Sequence, residues 1–510
     1  MASLRSVRFM LGNLGGPHMH EKTDSAAELH LRVIREPAVT PLSPRKRAIC
    51  WDFGIPPHEG SHVVADNLRL AARPGTITAL IGPSGSGKSS ILQAIADQVG
   101  QAVWVGREKL DKRSSIIDLV APRRPLATVM RILTACGLGG PRLWVRSPED
   151  LSDGERFRAA LARAIGRAVG FPVPAPIFCD EFTAVLHRRL ARAMAHNLRK
   201  LVGRAGLTLF VASSQDDFLD DLQPDQLVRL GGPAPRVDAF VPRSRRFSLH
   251  RRLVVEPGSV CDYSLFSAMH YRHRDGLGFV DKVFLLREQP GGEPLGILVF
   301  AHGSMELALR NRATGGRFVR NLRRLNRELR VLRRLVMHPD VRGCGLGHVF
   351  VRRTLPLVGV RFIECLAAMG TVNPVFERAG MHRIGQCALP RGRLAILERM
   401  RQLKLDPFSD GFSSQIAKYP RVRRLVVETL LGWSQVTHSA KGFRLRGRSP
   451  DELGQTFRQV LGEPPVYYLW DREGEYPRAD LRPDAQPRLA NHSPPRPRAT
   501  ATSRKLDPRG

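Results

Sequence analysis

The stretch Gly82-Pro83-Ser84-Gly85-Ser86-Gly87-Lys88-Ser89 constrains this chain more than any other. It runs out of the apolar segment Thr78–Ile81 and into a helical pattern from Ile91 to Val99. A strand, a glycine loop and a helix start, in that order, make a phosphate cradle. Glycines let the loop curl so that successive backbone N–H groups point at phosphate oxygens. Lys88 is placed to reach the β- and γ-phosphates and the Ser89 hydroxyl to hold Mg²⁺. The expected ATP-binding residues here are Gly82, Ser84, Gly85, Ser86, Gly87, Lys88, Ser89 and Ser90.

Two further elements fit the same chemistry. Pro176-Ile177-Phe178-Cys179 reads as an apolar strand that delivers Asp180 and Glu181 at its end. Asp180 is suited to the Mg²⁺ shell beside Ser89, and Glu181 to act as the general base that polarises the attacking water. Leu151-Ser152-Asp153-Gly154-Glu155 opens a helix 28 residues before Asp180. Order and spacing together resemble the ABC ATPases, whose signature is LSGGQ, over roughly residues 45–235. The resemblance implies that Ser152 and Gly154 touch a γ-phosphate held by a second subunit, hence a homodimer through the ATPase domains. Where that family continues P-T-S-A-L-D, this chain has Phe182-Thr183-Ala184-Val185-Leu186-His187, and the switch histidine is matched by Gln215. Glutamine can hydrogen-bond a γ-phosphate but cannot become a cation, which predicts slow hydrolysis. No Q-loop glutamine is apparent, and Ser152 follows Lys88 by only 64 positions, which leaves room for only a small helical subdomain.

A second glycine loop follows the strand Leu332–Met337: His338-Pro339-Asp340-Val341-Arg342-Gly343-Cys344-Gly345-Leu346-Gly347. Another strand, Arg361–Ala368, and then Asn373-Pro374-Val375-Phe376-Glu377-Arg378-Ala379-Gly380-Met381 come after it. The loop resembles the R/Q-x-x-G-x-G/A motif of the GNAT acyltransferases, and the later segment their N-x-x-[YF]-x-x-x-G-[FM] pattern. This resemblance implies acetyl-CoA as cofactor, with Val336, His338, Arg342, Gly343, Gly345, Gly347, Asn373 and Phe376 around it. The proton-donating tyrosine of that family is matched by Phe376, which has no proton to give. Glu328, His338 and Glu364 are the candidate bases, and His270 and Tyr271 border the expected acceptor pocket.

Net charge is +33, with 69 of the 80 basic residues being arginine. Such a field concentrates polyanions, so RNA or DNA is a candidate partner. The densest segment holds Arg310, Arg312, Arg317, Arg320, Arg323, Arg324, Arg327, Arg330, Arg333 and Arg334 against the single acid Glu328. Seven cysteines stand singly without a C-x-x-C pair, which argues against a zinc site or a disulfide framework. No window is apolar enough to span a bilayer, and the expected home is the cytoplasm.

The predicted fold class is α/β: a P-loop NTPase (ABC ATPase) domain, then a GNAT-like α+β domain and a small helical C-terminal extension. Predicted boundaries are a disordered tail over 1–28, the ATP-binding domain over 29–235 and a linker over 236–246. The GNAT-like domain follows over 247–398, the helical extension over 399–473 and a disordered basic tail over 474–510. The function expected is ATP hydrolysis coupled to acyl transfer. Alternatives are an ATP-dependent regulatory protein with an inactive GNAT module, or the ATPase subunit of a transporter with a separate permease.

Overall fold

The computed structural model describes residues 27–474, apart from 59, 245, 271–275, 388–390, 437–446 and 462–463. The expected tails fall outside it, except that Ala27 already opens a strand, so the first of them is shorter than the composition suggests.

The strands are β1 (Ala27–Arg35), β2 (His62–Ala72), β3 (Ile77–Ile81), β4 (Val103–Trp104), β5 (Ile177–Cys179), β6 (Leu209–Ser213), β7 (Gln226–Arg229) and β8 (Arg236–Asp238) in the first half. Strands β1 and β2 form an antiparallel pair of their own. The other six make one sheet in the order β4-β5-β6-β3-β7-β8, parallel except for β8. All five residues of β3 are buried, as a parallel strand with both faces covered requires. Leu80 faces a core built with the β1–β2 pair and the helix Lys88–Val99. Ala79 and Ile81 face the helices Leu126–Ala135, Asp153–Ala168 and Arg188–Ala205. Each fully buried leucine or isoleucine here is worth about 1.5–3 kcal/mol against exposure. Because β8 extends the sheet, the linker predicted from 236 starts only after Asp238.

The second half contains β9 (Val254–Gly258), β10 (Val280–Arg287), β11 (Pro294–Ala301), β12 (Leu329–Met337), β13 (Phe362–Ala367), β14 (His382–Gln386) and β15 (Val466–Asp471). They form a seven-stranded sheet in the order β14-β15-β13-β12-β11-β10-β9. Only β12 and β13 run parallel, joined by the helix Leu346–Thr354, and they pair only at Leu329↔Phe362, Arg330↔Ile363 and Val331↔Glu364. Beyond Val331 the two strands part: β12 continues to Met337 beside β11, and β13 to Ala367 beside β15.

One boundary needs correction. Between β14 and β15 lie the helices Arg391–Gln402, Phe412–Lys418, Pro420–Val436 and Pro450–Leu461, with a core of Phe412, Ile416, Val426, Leu430, Leu453 and Phe457. These helices are an insertion within the second unit, not a terminal extension, because Val466–Asp471 returns to its sheet between β13 and β14. An apolar strand of six residues cannot show from sequence which strands it will pair with.

The helix Arg188–Ala205 sits between the two units. Leu190, Met194, Leu198 and Val202 pack into the first core, while Ala193 belongs to the core of the second.

Candidate functional site

The first glycine loop is held in its curl by backbone geometry. Gly85 and Gly87 have φ of 81° and 89°, and a Cβ on Gly87 would lie 2.1 Å from Val64 Cγ1. A Cβ on Gly82 would lie 2.7 Å from the Leu230 carbonyl oxygen. Lys88 Nζ folds back into the loop and donates to the carbonyl oxygens of Gly82 at 2.9 Å and Pro83 at 2.6 Å. Ser86 Oγ is buried without a partner. A left-handed glycine loop, an inward lysine and an orphaned hydroxyl fit a phosphate chain, and Ser89 stands in the first turn of the helix as the motif requires.

Strand order brings the remaining parts near. Strand β6 lies between β3 and β5, and Gly82 N–H donates to the Ser213 carbonyl at its end at 3.4 Å. Phe182 N–H donates to the Ala212 carbonyl at 2.7 Å, so the turn after Asp180-Glu181 and the glycine loop are both pinned to the end of β6. Asp180 Oδ1 accepts from the Glu181 N–H at 2.9 Å. Glu181 is exposed and has φ of 50°, a strained backbone at the residue expected to act as base. Thr183 shares that strain at 68° and buries a hydroxyl without a partner.

Ser152 and Gly154 open the Asp153–Ala168 helix. The Ser152 hydroxyl accepts from Glu155 N–H, and the Glu155 carboxylate accepts from Ser152 N–H at 3.0 Å, a reciprocal cap. A Cβ on Gly154 would lie 3.3 Å from the Val185 carbonyl oxygen, which places the signature beside the turn that follows Glu181. Two arginines that sequence reasoning missed hold these parts. Arg158 donates to the carbonyls of Gly154 at 3.0 Å and Gly137 at 2.7 Å. Arg188 donates to Asp217 Oδ2 at 2.9 Å and to Gln215 Oε1. Neither belongs to a motif, so no local signal marked them. Gln215 thus has its carbonyl oxygen occupied and its amide N–H₂ left to donate.

The second glycine loop also has left-handed glycines, with φ of 83° at Gly343 and 84° at Gly345. It sits at the N-terminus of the helix between the two strands that part after Val331, and Gly347 packs close to Val375. Several expected ligand contacts are corrected here. The Arg342 guanidinium is spent on backbone carbonyls, those of Met269 at 2.8 Å, Met337 at 3.1 Å and Gly139 of the first unit at 3.4 Å. Phe376 is a core residue whose ring lies 5.4 Å from that of Tyr468, and the Val336 side chain is buried among Tyr263, Phe266 and Ile297. Asn373 remains exposed.

Two of the three candidate bases are engaged. Glu364 is buried in a bidentate pair with Arg310, at 2.8 and 2.6 Å, and accepts from the Tyr467 hydroxyl at 2.9 Å. Glu328 accepts from Arg317, Arg327 and Arg324; burial pushes its carboxyl up, but these cations outweigh it and hold the group below its usual range. His338 is drawn below its ordinary value by burial, against the opposing pull of Asp340, whose carboxylate is 3.4 Å from Nδ1. His270 is half-buried, and Tyr271 lies outside the described residues. Part of the arginine segment is met by carboxylates: besides these pairs, Arg330 meets Asp281 at 2.9 Å, and Arg334 is buried.

Among the described residues no helix is long and apolar enough to cross a membrane.

The family profile described as ABC transporter matches residues 65–130. The lipoprotein-releasing system ATP-binding protein LolD of Novosphingobium aromaticivorans is 30% identical over 205 residues, 33% of this chain and 87% of that protein. The thiamine import ATP-binding protein ThiQ of Ruegeria sp. is 30% identical over 190 residues, 31% of this chain and 78% of that protein. The spermidine/putrescine import ATP-binding protein PotA of Roseobacter denitrificans is 28% identical over 196 residues, covering 31% of this chain and 51% of that protein. The chain thus spans about half the length of PotA, as it does of the Fe(3+) ions import ATP-binding protein FbpC of Streptomyces coelicolor.

Proposed function

This chain belongs, through its first unit, to the ABC transporter ATP-binding family, and on that premise we propose an ATPase whose nucleotide cycle acts on a coenzyme A-binding second unit. In the first unit the Gly82–Ser89 loop wraps the triphosphate, with Lys88 turning from its own loop carbonyls to the β- and γ-phosphates. Magnesium, held by Ser89 and Asp180, supplies charge neutralisation at the phosphate oxygens when bound. Glu181 accepts the proton of the attacking water, and the Gln215 amide donates toward the γ-phosphate. Ser152 and Gly154 complete the site of a second copy, which makes the working form a homodimer.

The second unit is read as GNAT-like, with acetyl-CoA as its ligand. The observation that carries this reading is the parting of β12 and β13 after Val331, with a left-handed glycine loop and a helix N-terminus at its end. Such an opening suits the pantetheine arm, and such a loop suits the pyrophosphate. Acyl transfer to an acceptor is the reaction class this implies. His338 is the one of the three candidate bases not tied to arginine in an ion pair, so turnover rests on it, and with Phe376 in the core the donor of the leaving thiolate's proton must be water. Calorimetry with acetyl-CoA on the full chain tests the reading: micromolar binding supports it, and heat indistinguishable from dilution removes it.

A second reading has its own support. LolD, ThiQ and PotA are named for release or import, so an ATPase that serves a separate membrane permease is the alternative. Co-purification of a multi-span protein with the tagged chain from its native cells would favour it.

A further inference from the structure

The loop that leads into the Leu346–Thr354 helix is held by the ATPase unit from two directions. Along one side runs the helix Arg188–Ala205. Its Ala193 carbonyl oxygen lies 3.6 Å from Cys344 Sγ, and the buried Asn197 donates through Nδ2 to the Arg342 carbonyl at 3.1 Å. On the other side is the turn after the helix Leu126–Ala135, where the Gly139 carbonyl accepts from the Arg342 guanidinium at 3.4 Å. Gly343 lies between the two. A Cβ there would stand 2.8 Å from Asn197 Nδ2 and 3.0 Å from the Thr134 methyl. The neighbours that demand glycine at this position thus belong to the ATPase unit.

Each side leads back to a part of the nucleotide site. Arg158 donates to the Gly137 carbonyl at 2.7 Å and to the Gly154 carbonyl at 3.0 Å, so the turn that meets Arg342 is tied to the signature. At the start of the other helix Arg188 holds Gln215, and the next residue, Arg189, meets Glu293 of the second unit at 2.6 Å. Glu293 stands two residues before Leu295, whose carbonyl accepts from the His338 N–H at 2.8 Å. One loop is therefore reached from the signature and from the glutamine proposed for the γ-phosphate. Elsewhere the second unit is anchored: Ser248 donates its N–H and hydroxyl to the buried Asp221 at 2.7 Å each, and Phe247 stacks on His196. With the body anchored, a shift between the two ATPase pieces falls on the loop, because packed contacts move as units rather than deform continuously.

We propose that the loop 338–345 is the coupling element of this chain, with Arg342 as its positioning residue. Nucleotide that engages Gln215 and the signature moves the 137–140 turn relative to the Arg188–Ala205 helix, and the loop clasped by both changes with it. That the ligand so regulated is acetyl-CoA rests on the reading above; the coupling itself does not. Linkage makes the effect reciprocal, so a ligand on the loop changes nucleotide affinity by the same factor.

Hydrogen–deuterium exchange on the full chain, read by mass spectrometry, tests this with and without a non-hydrolysable ATP analogue and Mg²⁺. Peptides over 82–89 report nucleotide binding, and those over 338–345 report the coupling. In wild type the analogue should change exchange in 338–345 about 5-fold or more, the lower end of ordinary coupling between sites. Arg342→Ala should keep the response at 82–89 and lose that at 338–345. Arg342 also holds the Met269 and Met337 carbonyls, so a second cut is made at Arg158→Lys, which cannot fork between two carbonyls and leaves the loop's own contacts in place. It should lose the response while exchange of the nucleotide-free loop stays as in wild type. Thermal melts identify a variant that unfolds, and the other then carries the test. A wild-type loop that ignores the analogue while 82–89 responds overturns the coupling, as does a response that survives in Arg342→Ala. Acetyl-CoA calorimetry separates the two readings. An affinity that the analogue shifts about 5- to 150-fold in wild type and leaves unchanged in Arg342→Ala sustains both. A responsive loop in a chain that gives no heat with acetyl-CoA sustains the coupling and sinks the coenzyme reading. Acetyl-CoA binding beside an unresponsive loop does the reverse.

Discussion

Arg188 Nε donates to Asp217 Oδ2 at 2.9 Å, tying the first residue of a long helix to the loop after β6. The same guanidinium holds the Gln215 side chain by its oxygen, so one arginine sets which face of the glutamine amide is left to donate. Arg188→Ala releases both. ATP turnover should fall about 10- to 100-fold with KM changed less than 3-fold, since misplacement of a positioning group by about 1 Å costs rates of that order. A KM that rises in step with the loss of turnover would assign Arg188 to binding instead.

Glu181→Gln keeps the shape of the base and removes its proton affinity. Hydrolysis should drop about 10²- to 10⁴-fold. With ATP and Mg²⁺ present, light scattering should find a dimer that wild type forms only transiently. A variant that stays monomeric counts against the two-copy site built on Ser152 and Gly154.

Lys88→Ala removes the cation that now rests on the Gly82 and Pro83 carbonyls. Binding of a fluorescent ATP analogue should weaken at least about 10-fold, the worth of a charged hydrogen bond, while coenzyme A affinity stays within 3-fold. Loss of both would show that the two ligands are coupled more tightly than adjacency requires.

The pair of Arg310 and Glu364 is buried, with Tyr467 on the same carboxylate. Arg310→Ala strands a carboxylate inside the second sheet and should cost about 3–5 kcal/mol in urea unfolding of that unit. Arg310→Met with Glu364→Leu should recover most of it. A single variant that costs nothing would mean that water reaches the pair.

His196 is buried against the ring of Phe247, and burial, with Lys200 and His250 beside it, lowers its pKa to about 3. Unfolded, the imidazole takes its proton near its ordinary value of 6.5; folded, it resists until about 3. Between those values the unfolded chain binds more protons, so stability is whole above the upper limit and falls as pH drops through the window. The slope is at most about 1.4 kcal/mol per pH unit. His196→Phe should flatten the stability profile between pH 6.5 and 4 relative to wild type; an unchanged slope would place the titrating group elsewhere.

The nucleotide cradle was legible because its residues are contiguous: the glycines, Lys88 and Ser89 stand in one turn, and Asp180-Glu181 close one strand. The strand–loop–helix pattern of the second unit was legible for the same reason. What escaped depends on pairing between distant positions. Nothing in the sequence marks Arg188 as the partner of Gln215, or Arg342 as a clasp on carbonyls including that of Gly139. The arginine segment read as facing a single acid because two of the acids that meet it, Asp281 and Glu364, come from other strands. Reading Phe376 as a ligand residue failed in a similar way: its partner Tyr468 follows 92 residues later, across the helical insertion.

That insertion bears on how the protein is made. Every strand of the first sheet has been synthesised once Asp238 is added, so the ATPase can close while translation continues. The second sheet cannot, because β15 threads between β13 and β14 and is among the last described residues to emerge. Until Asp471 appears, the nascent chain carries two open strand edges, which makes that interval its period of greatest exposure to aggregation and to chaperones.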